Sequence, residues 1–161
     1  MVGDLVALAV FLFLCFAAAT TGAVFKPGAW YDSLSKPSWT PPDWLFPVAW
    51  SVLYVMIAVS AWLVWRAAGF AGGLIPLAVW GVQLGLNAAW SWIFFGLRRM
   101  DLAFAEVVAL WISIAACIVL FAPISLTAAA LMAPYLVWVS FAAALNLAVW
   151  QRNREAVGRT A

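Results

Sequence analysis

Five long apolar runs alternate with short polar breaks along the chain, near residues 5–25, 42–66, 74–97, 102–122 and 126–150. Each is long enough to cross about 30 Å of hydrocarbon as a helix, which takes roughly 20 residues. The breaks carry the punctuation expected between helices. Lys26-Pro27-Gly28 ends the first run, and Thr40-Pro41-Pro42-Asp43 reads as a helix start, with Thr40 as N-cap, Pro41 at the first helical position and Asp43 at the capping-box position. Pro47 is expected to bend the second helix. Gly69 with Gly72-Gly73 makes the next turn, and Pro76 suits the first turn of the third helix. Arg98-Arg99-Met100-Asp101 is a tight link with Asp101 as N-cap of the fourth helix. Pro123 and Ser125 separate the fourth from the fifth, and Pro134 predicts a kink inside the fifth. The expected architecture is all-α: five transmembrane helices bundled in one domain over 1–161. The first run carries Asp4 and no basic stretch before it, so it is expected to stay as a helix rather than be removed as a signal peptide.

One stretch breaks the apolar monotony. Trp30 to Tyr54 holds Trp30, Trp39, Trp44 and Trp50, both Tyr31 and Tyr54, and Pro37, Pro41, Pro42 and Pro47. Proline fixes φ and lowers the entropy of ordering, while tryptophan brings a large area and one N–H that wants a partner. The segment is therefore expected to be an ordered cap between the first two helices, closing an internal pocket.

Composition narrows the class. The chain is 68% hydrophobic and 9% charged, with mean hydropathy +1.07. A soluble domain has about 25% charged residues, so this is an integral membrane protein. A net charge of +2 without a basic tract gives nucleic acid no footing. Histidine is absent, which removes the commonest metal ligand and general base. Cys15 and Cys117 lie far apart in apolar runs, with no CxxC, and read as small buried hydrophobes. No catalytic set and no metal site are expected.

Cations set the orientation. Lys26, Lys36, Arg98, Arg99, Arg152, Arg154 and Arg159 follow the odd-numbered spans, and Arg66 alone lies on the other side. In an inner membrane the positive-inside rule puts the cap and C-terminus in the cytoplasm and the N-terminus outside.

Helical spacing then gathers candidate ligand contacts. Gln83, Asn87, Trp90 and Phe94 share a face of the third helix; Phe46, Trp50, Leu53, Tyr54 and Ile57 share one on the second; Tyr135, Trp138, Ala142 and Asn146 share one on the fifth. Aromatic faces with a few amides suit a small-molecule slot. They also suit interface-seeking indoles and helix-tying amides with no ligand at all. On the third helix Ala78, Gly81, Gly85 and Ala88 form a small-residue face almost opposite Gln83 and Asn87, fit for a homodimer or for close packing within the chain. Glu106 reads either as a relay or substrate group, or as an interfacial carboxylate beside Arg98-Arg99.

With these residues in view, the sequence resembles the translocator protein / tryptophan-rich sensory protein family (peripheral-type benzodiazepine receptors) over essentially its whole length. The resemblance is carried by Trp30-Tyr31, Leu34, Lys36-Pro37, Trp39, Pro41-Pro42, Phe46, Trp50 and Tyr54; by Gln83, Asn87, Trp90 and Phe94-Phe95-Gly96; and by Pro134-Tyr135-Leu136, Trp138, Phe141, Leu145-Asn146 and Trp150. It implies a bacterial five-helix homodimer that binds porphyrins such as protoporphyrin IX and haem, and isoquinoline-carboxamide or benzodiazepine-type drugs. It implies pocket positions at Trp50, Asn87, Trp138 and Ala142 beneath a cap containing Trp30, Tyr31 and Trp39. It further implies a role in regulating tetrapyrrole synthesis or stress responses, with tetrapyrrole or lipid transport and light-dependent porphyrin breakdown as alternatives. The family's sterol motif needs a Tyr where Leu147 stands, which argues against high-affinity cholesterol binding, although Arg99, Phe104 and Val107 fit its reversed form. Without His, haem iron has few axial ligands, so aromatic stacking and cations such as Lys26 and Lys36 on the ring carboxylates are expected to hold a metal-free porphyrin.

Overall fold

The computed structural model describes the backbone of residues 2–157 and side chains as far as Arg154, so Arg159 lies outside the described residues. Helix α1 runs Val2–Val24, a short α2 runs Ala29–Asp32 inside the cap, α3 runs Leu45–Ser91, α4 Met100–Phe121 and α5 Leu126–Val157; there are no strands among the described residues. A π-helical turn, Trp92–Gly96, prolongs α3 into a 52-residue helical stretch, Leu45–Gly96.

That stretch supplies two membrane crossings. Its backbone leaves helical geometry at Gly69, with φ 64° and ψ −168°, a region open in practice only to glycine. Tyr54 and Asn87 are 33 positions apart, roughly 50 Å along a straight helix. Yet the Tyr54 hydroxyl donates to Asn87 Oδ1 at 2.5 Å. The Trp80 indole likewise donates to the Ile57 carbonyl at 3.1 Å. The two limbs of α3 therefore fold back on each other. With α1, α4 and α5, each long and apolar enough to cross a membrane, the bundle has five crossings.

Several local starts differ from the sequence reading. Gly72 and Gly73 remain helical, so Gly69 alone makes the reversal. The second crossing begins at Leu45, not after Thr40. Thr40 uses both its N–H and its hydroxyl on the Pro37 carbonyl, at 3.0 and 2.7 Å, and Pro42 disfavours helical geometry at Pro41. Pro47 consequently falls in the first turn of α3, where its missing N–H disturbs nothing. Asp101 is inside the first turn of α4 rather than capping it, because Arg99 precedes the helix and grips Asp101 at 2.9 and 2.7 Å.

The centre of the bundle is mostly apolar, with Ile57, Val64, Ile114, Phe121, Met132 and Val139 at zero exposure and Ser60 and Gln83 buried among the polar exceptions. A second cluster forms at the cap end from Tyr31, Phe94, Met100, Leu145 and Val149. The cap docks onto it through edge-to-face pairs: Trp30–Phe94 at 5.9 Å, Tyr31–Phe95 at 5.5 Å and Trp39–Phe141 at 5.7 Å. Gly96 permits this, since a Cβ there would come within 3.1 Å of the Phe25 ring. At the other end Trp62 donates to the Asp4 carbonyl at 2.9 Å, and Arg66 stands 3.8 Å from the Asp4 carboxylate.

Candidate functional site

Between the cap and the middle of the bundle lies a cavity of about 490 Å³, within the range of small-molecule sites. The first limb of α3 contributes Phe46, Trp50 and Tyr54 to its wall. The second limb and the π turn contribute Asn87, Trp90 and Phe94, and α5 contributes Trp138 and Ala142. Of the cap residues singled out in the sequence, Tyr31 lines it; Trp30, Trp39 and Lys36 pack behind it.

Two of the expected contacts are not in the wall. Tyr135 is fully buried behind Asn87, whose amide donates to the Tyr135 hydroxyl at 2.9 Å. Gln83 is also fully buried, and neither its amide nitrogen nor its oxygen finds a partner among the described residues. It sits one helical turn beyond Asn87, away from the cap and past the end of the cavity. Tyr54, Asn87 and Tyr135 thus form one chain of hydrogen bonds from three crossings, fixing the amide of Asn87 at the inner end.

The aromatic walls hold each other. Trp50 meets Trp138 edge-on at 6.5 Å and Tyr54 at 5.5 Å with a 33° tilt, and Phe46 meets Trp138 at 6.0 Å. Trp90 stacks on Phe94 at 4.9 Å, a contact set by the helical spacing of four. The Trp90 N–H is used on Asn146 Oδ1 at 3.2 Å, and Asn146 in turn donates to the Met100 carbonyl at 3.0 Å. Asn146 therefore ties three crossings and also lines the cavity.

One further wall residue, Asp43, and one residue outside the wall, Asn153, depart from the sequence reading. Asp43 reads as a helix-capping residue, but it lines the cavity mouth beside Lys26 and Tyr31. Burial, then the anions Asp43 and Asp32, raise the Tyr31 phenol above its ordinary pKa. Asn153 anchors the cap: it accepts from the Ser35 N–H at 3.0 Å and donates to the Ser35 carbonyl at 3.0 Å and the Val149 carbonyl at 2.7 Å. Its signal was present, since Asn153 lies seven positions after Asn146 on the same stripe.

Glu106 is not beside the arginine pair. Both of its carboxylate oxygens are buried without a hydrogen-bond partner among the described residues, while Arg99 holds Asp101 and Arg98 lies 5.8 Å from the Trp30 ring centre. The small-residue face is on the outside: Ala78, Gly81 and Gly85 are exposed and Ala88 half-buried, and a Cβ at Gly81 or Gly85 meets nothing within 4 Å. No cluster of three His, Cys, Asp or Glu occurs among the described residues, and Cys15 and Cys117 are free and buried.

Comparison with known proteins adds a match to the TspO/MBR family model over residues 9–151. The chain belongs to the TspO/MBR family. Among its relatives, protein CrtK of Rhodobacter capsulatus is 46% identical over 149 residues, covering 90% of this chain and 91% of that protein. The tryptophan-rich sensory protein of Cereibacter sphaeroides is 41% identical, covering 89% of each chain. Human translocator protein is 39% identical over 126 residues, covering 77% of this chain and 75% of the human protein. As a TspO/MBR member with five apolar crossings, the chain is an integral membrane protein.

Proposed function

We propose that this protein is a membrane receptor or sensor for flat, mostly apolar ligands of the tetrapyrrole class, protoporphyrin IX and haem foremost. Isoquinoline-carboxamide and benzodiazepine-type molecules fit the same chemistry, and the output is regulation of tetrapyrrole metabolism or a stress response. Family membership and relatives named as sensory and translocator proteins support the receptor class. The observation that carries the ligand reading is the meeting of Trp50, Asn87 and Trp138, from three crossings, around one largely apolar cavity. Stacking on fixed indoles gives affinity for a planar ring, and the oriented Asn87 amide gives one directional contact. Lys26, in the wall, is the carboxylate partner; Lys36 is instead drawn over the Tyr31 ring at 4.2 Å. The open Gly81–Gly85 face supports a homodimer through the second limb of α3. Gathering Lys26, Lys36, Arg98, Arg99, Arg152 and Arg154 at the cap end supports a cytoplasmic cap and C-terminus.

The test is a titration of tryptophan fluorescence with protoporphyrin IX in detergent micelles. Saturable quenching is expected, with affinity falling about tenfold for Trp50→Phe or Trp138→Phe. Asn87→Ala is expected to cost about 1–3 kcal/mol of binding, because it also frees Tyr54 and Tyr135. Identical curves for the wild type and all three variants reject the site.

A further inference from the structure

The cavity changes character along its length. Its inner end offers only neutral polar groups, chiefly Tyr54 and Asn87. The charged side chains in its described wall are Lys26 and Asp43. Lys26 follows the end of α1 and Asp43 precedes the start of α3, so both stand at the cap end. Of the other cap-end cations, Lys36 lies over Tyr31, Arg98 over Trp30 and Arg99 on Asp101, while Arg152 and Arg154 are outside the lining. Neither Lys26 nor Asp43 takes part in an ion pair among the described residues. The mouth therefore presents one positive and one negative group to whatever polar edge an inserted ligand leaves there.

We infer that Asp43 is a specificity-determining residue, which makes the site favour flat ligands with a single carboxylate at the mouth and disfavour those with two. The inference rests on the proposed tetrapyrrole reading. A dicarboxylic porphyrin carries both acids on one edge of the ring. Burying the apolar remainder against Trp50 and Trp138 leaves that edge at the cap end. One carboxylate gains Lys26, and the other is held near Asp43. A charge pair several ångströms apart in a partly wet mouth changes affinity by about three- to tenfold, and salt screens it. A neutral ester edge feels neither group.

The experiment uses the full chain in uncharged detergent, titrated at low salt with protoporphyrin IX, its monomethyl ester and its dimethyl ester. Asp43→Asn is expected to tighten the diacid about three- to tenfold, the monoester less, and the diester not at all. Lys26→Gln is expected to weaken the diacid and monoester while sparing the diester, and Asp43→Glu to restore the wild-type preference. Circular dichroism and thermal melting establish that each variant is folded. If the diester binds saturably but the ratio of diacid to diester affinity is unchanged in Asp43→Asn, the charge inference falls and the tetrapyrrole pocket stands. If none of the three probes binds the wild type, both fall.

Discussion

Asn153, only 8% exposed, fixes the cap with two hydrogen bonds to Ser35 and is itself steadied by a third to the Val149 carbonyl of its own helix, so its removal leaves the Ser35 N–H and carbonyl without their partner. Each such hydrogen bond contributes about 0.5–1.5 kcal/mol net. Asn153→Ala is accordingly expected to speed hydrogen exchange in the cap by about tenfold or more, with α4 unchanged. Equal cap exchange in variant and wild type contradicts the anchoring role. The same scale shows why some contacts were legible and others not. Asn87 and Gln83 share a helical face, and periodicity treats them alike. Only the meeting of Tyr54 and Tyr135 with Asn87 decides that one ends the cavity and the other is sealed beyond it.

At the scale of elements, Gly69 turns α3 back. Its φ of 64° with ψ of −168° is strained for any side chain even though nothing crowds the position. Gly69→Ala is expected to destabilise the fold by about 1–3 kcal/mol through backbone conformation alone, read as a lowered thermal midpoint. A midpoint equal to wild type shows that the reversal does not depend on this conformation. The existence of five crossings follows from hydrophobic length, which no local choice can override in a bilayer. Their starts do not follow so simply. Thr40 has a competing use in the Pro37–Thr40 turn, and this moves the start of α3 to Leu45. The Trp92–Gly96 π turn has no signal that periodicity detects. Its i→i+5 bond from the Leu97 N–H to the Trp92 carbonyl, 2.8 Å, shifts the register where Phe94 and Phe95 meet the cap.

At the scale of the whole molecule, one side of α3's second limb faces the cavity while the opposite side is bare glycine and alanine. Gly85→Leu leaves the single protomer intact, because space is open there and leucine favours helix by about 1 kcal/mol over glycine. In the proposed homodimer it obstructs close backbone approach. Cross-linking in detergent is expected to show dimer dissociation raised about tenfold or more. An unchanged dimer fraction places the contact elsewhere, and a monomeric wild type removes it. Glu106 belongs to this scale too: the Arg98-Arg99 pair is close to it in sequence, yet Asp101 and Trp30 take those cations and leave the carboxylate enclosed.

By itself the sequence determined a bilayer-spanning all-α chain, the number of crossings, an ordered proline- and tryptophan-rich cap, and most of the aromatic wall. These depend on hydrophobic length and helical period, which are local quantities. The tertiary structure alone decided that Asp43 and Lys26 share the mouth, that Tyr135 supports Asn87 from behind, and that Asn153 fastens the cap to α5. Those facts depend on which helices lie side by side and at what depth. Such distances between segments remote in sequence are set by the packing of the bundle as a whole, not by any one segment of it.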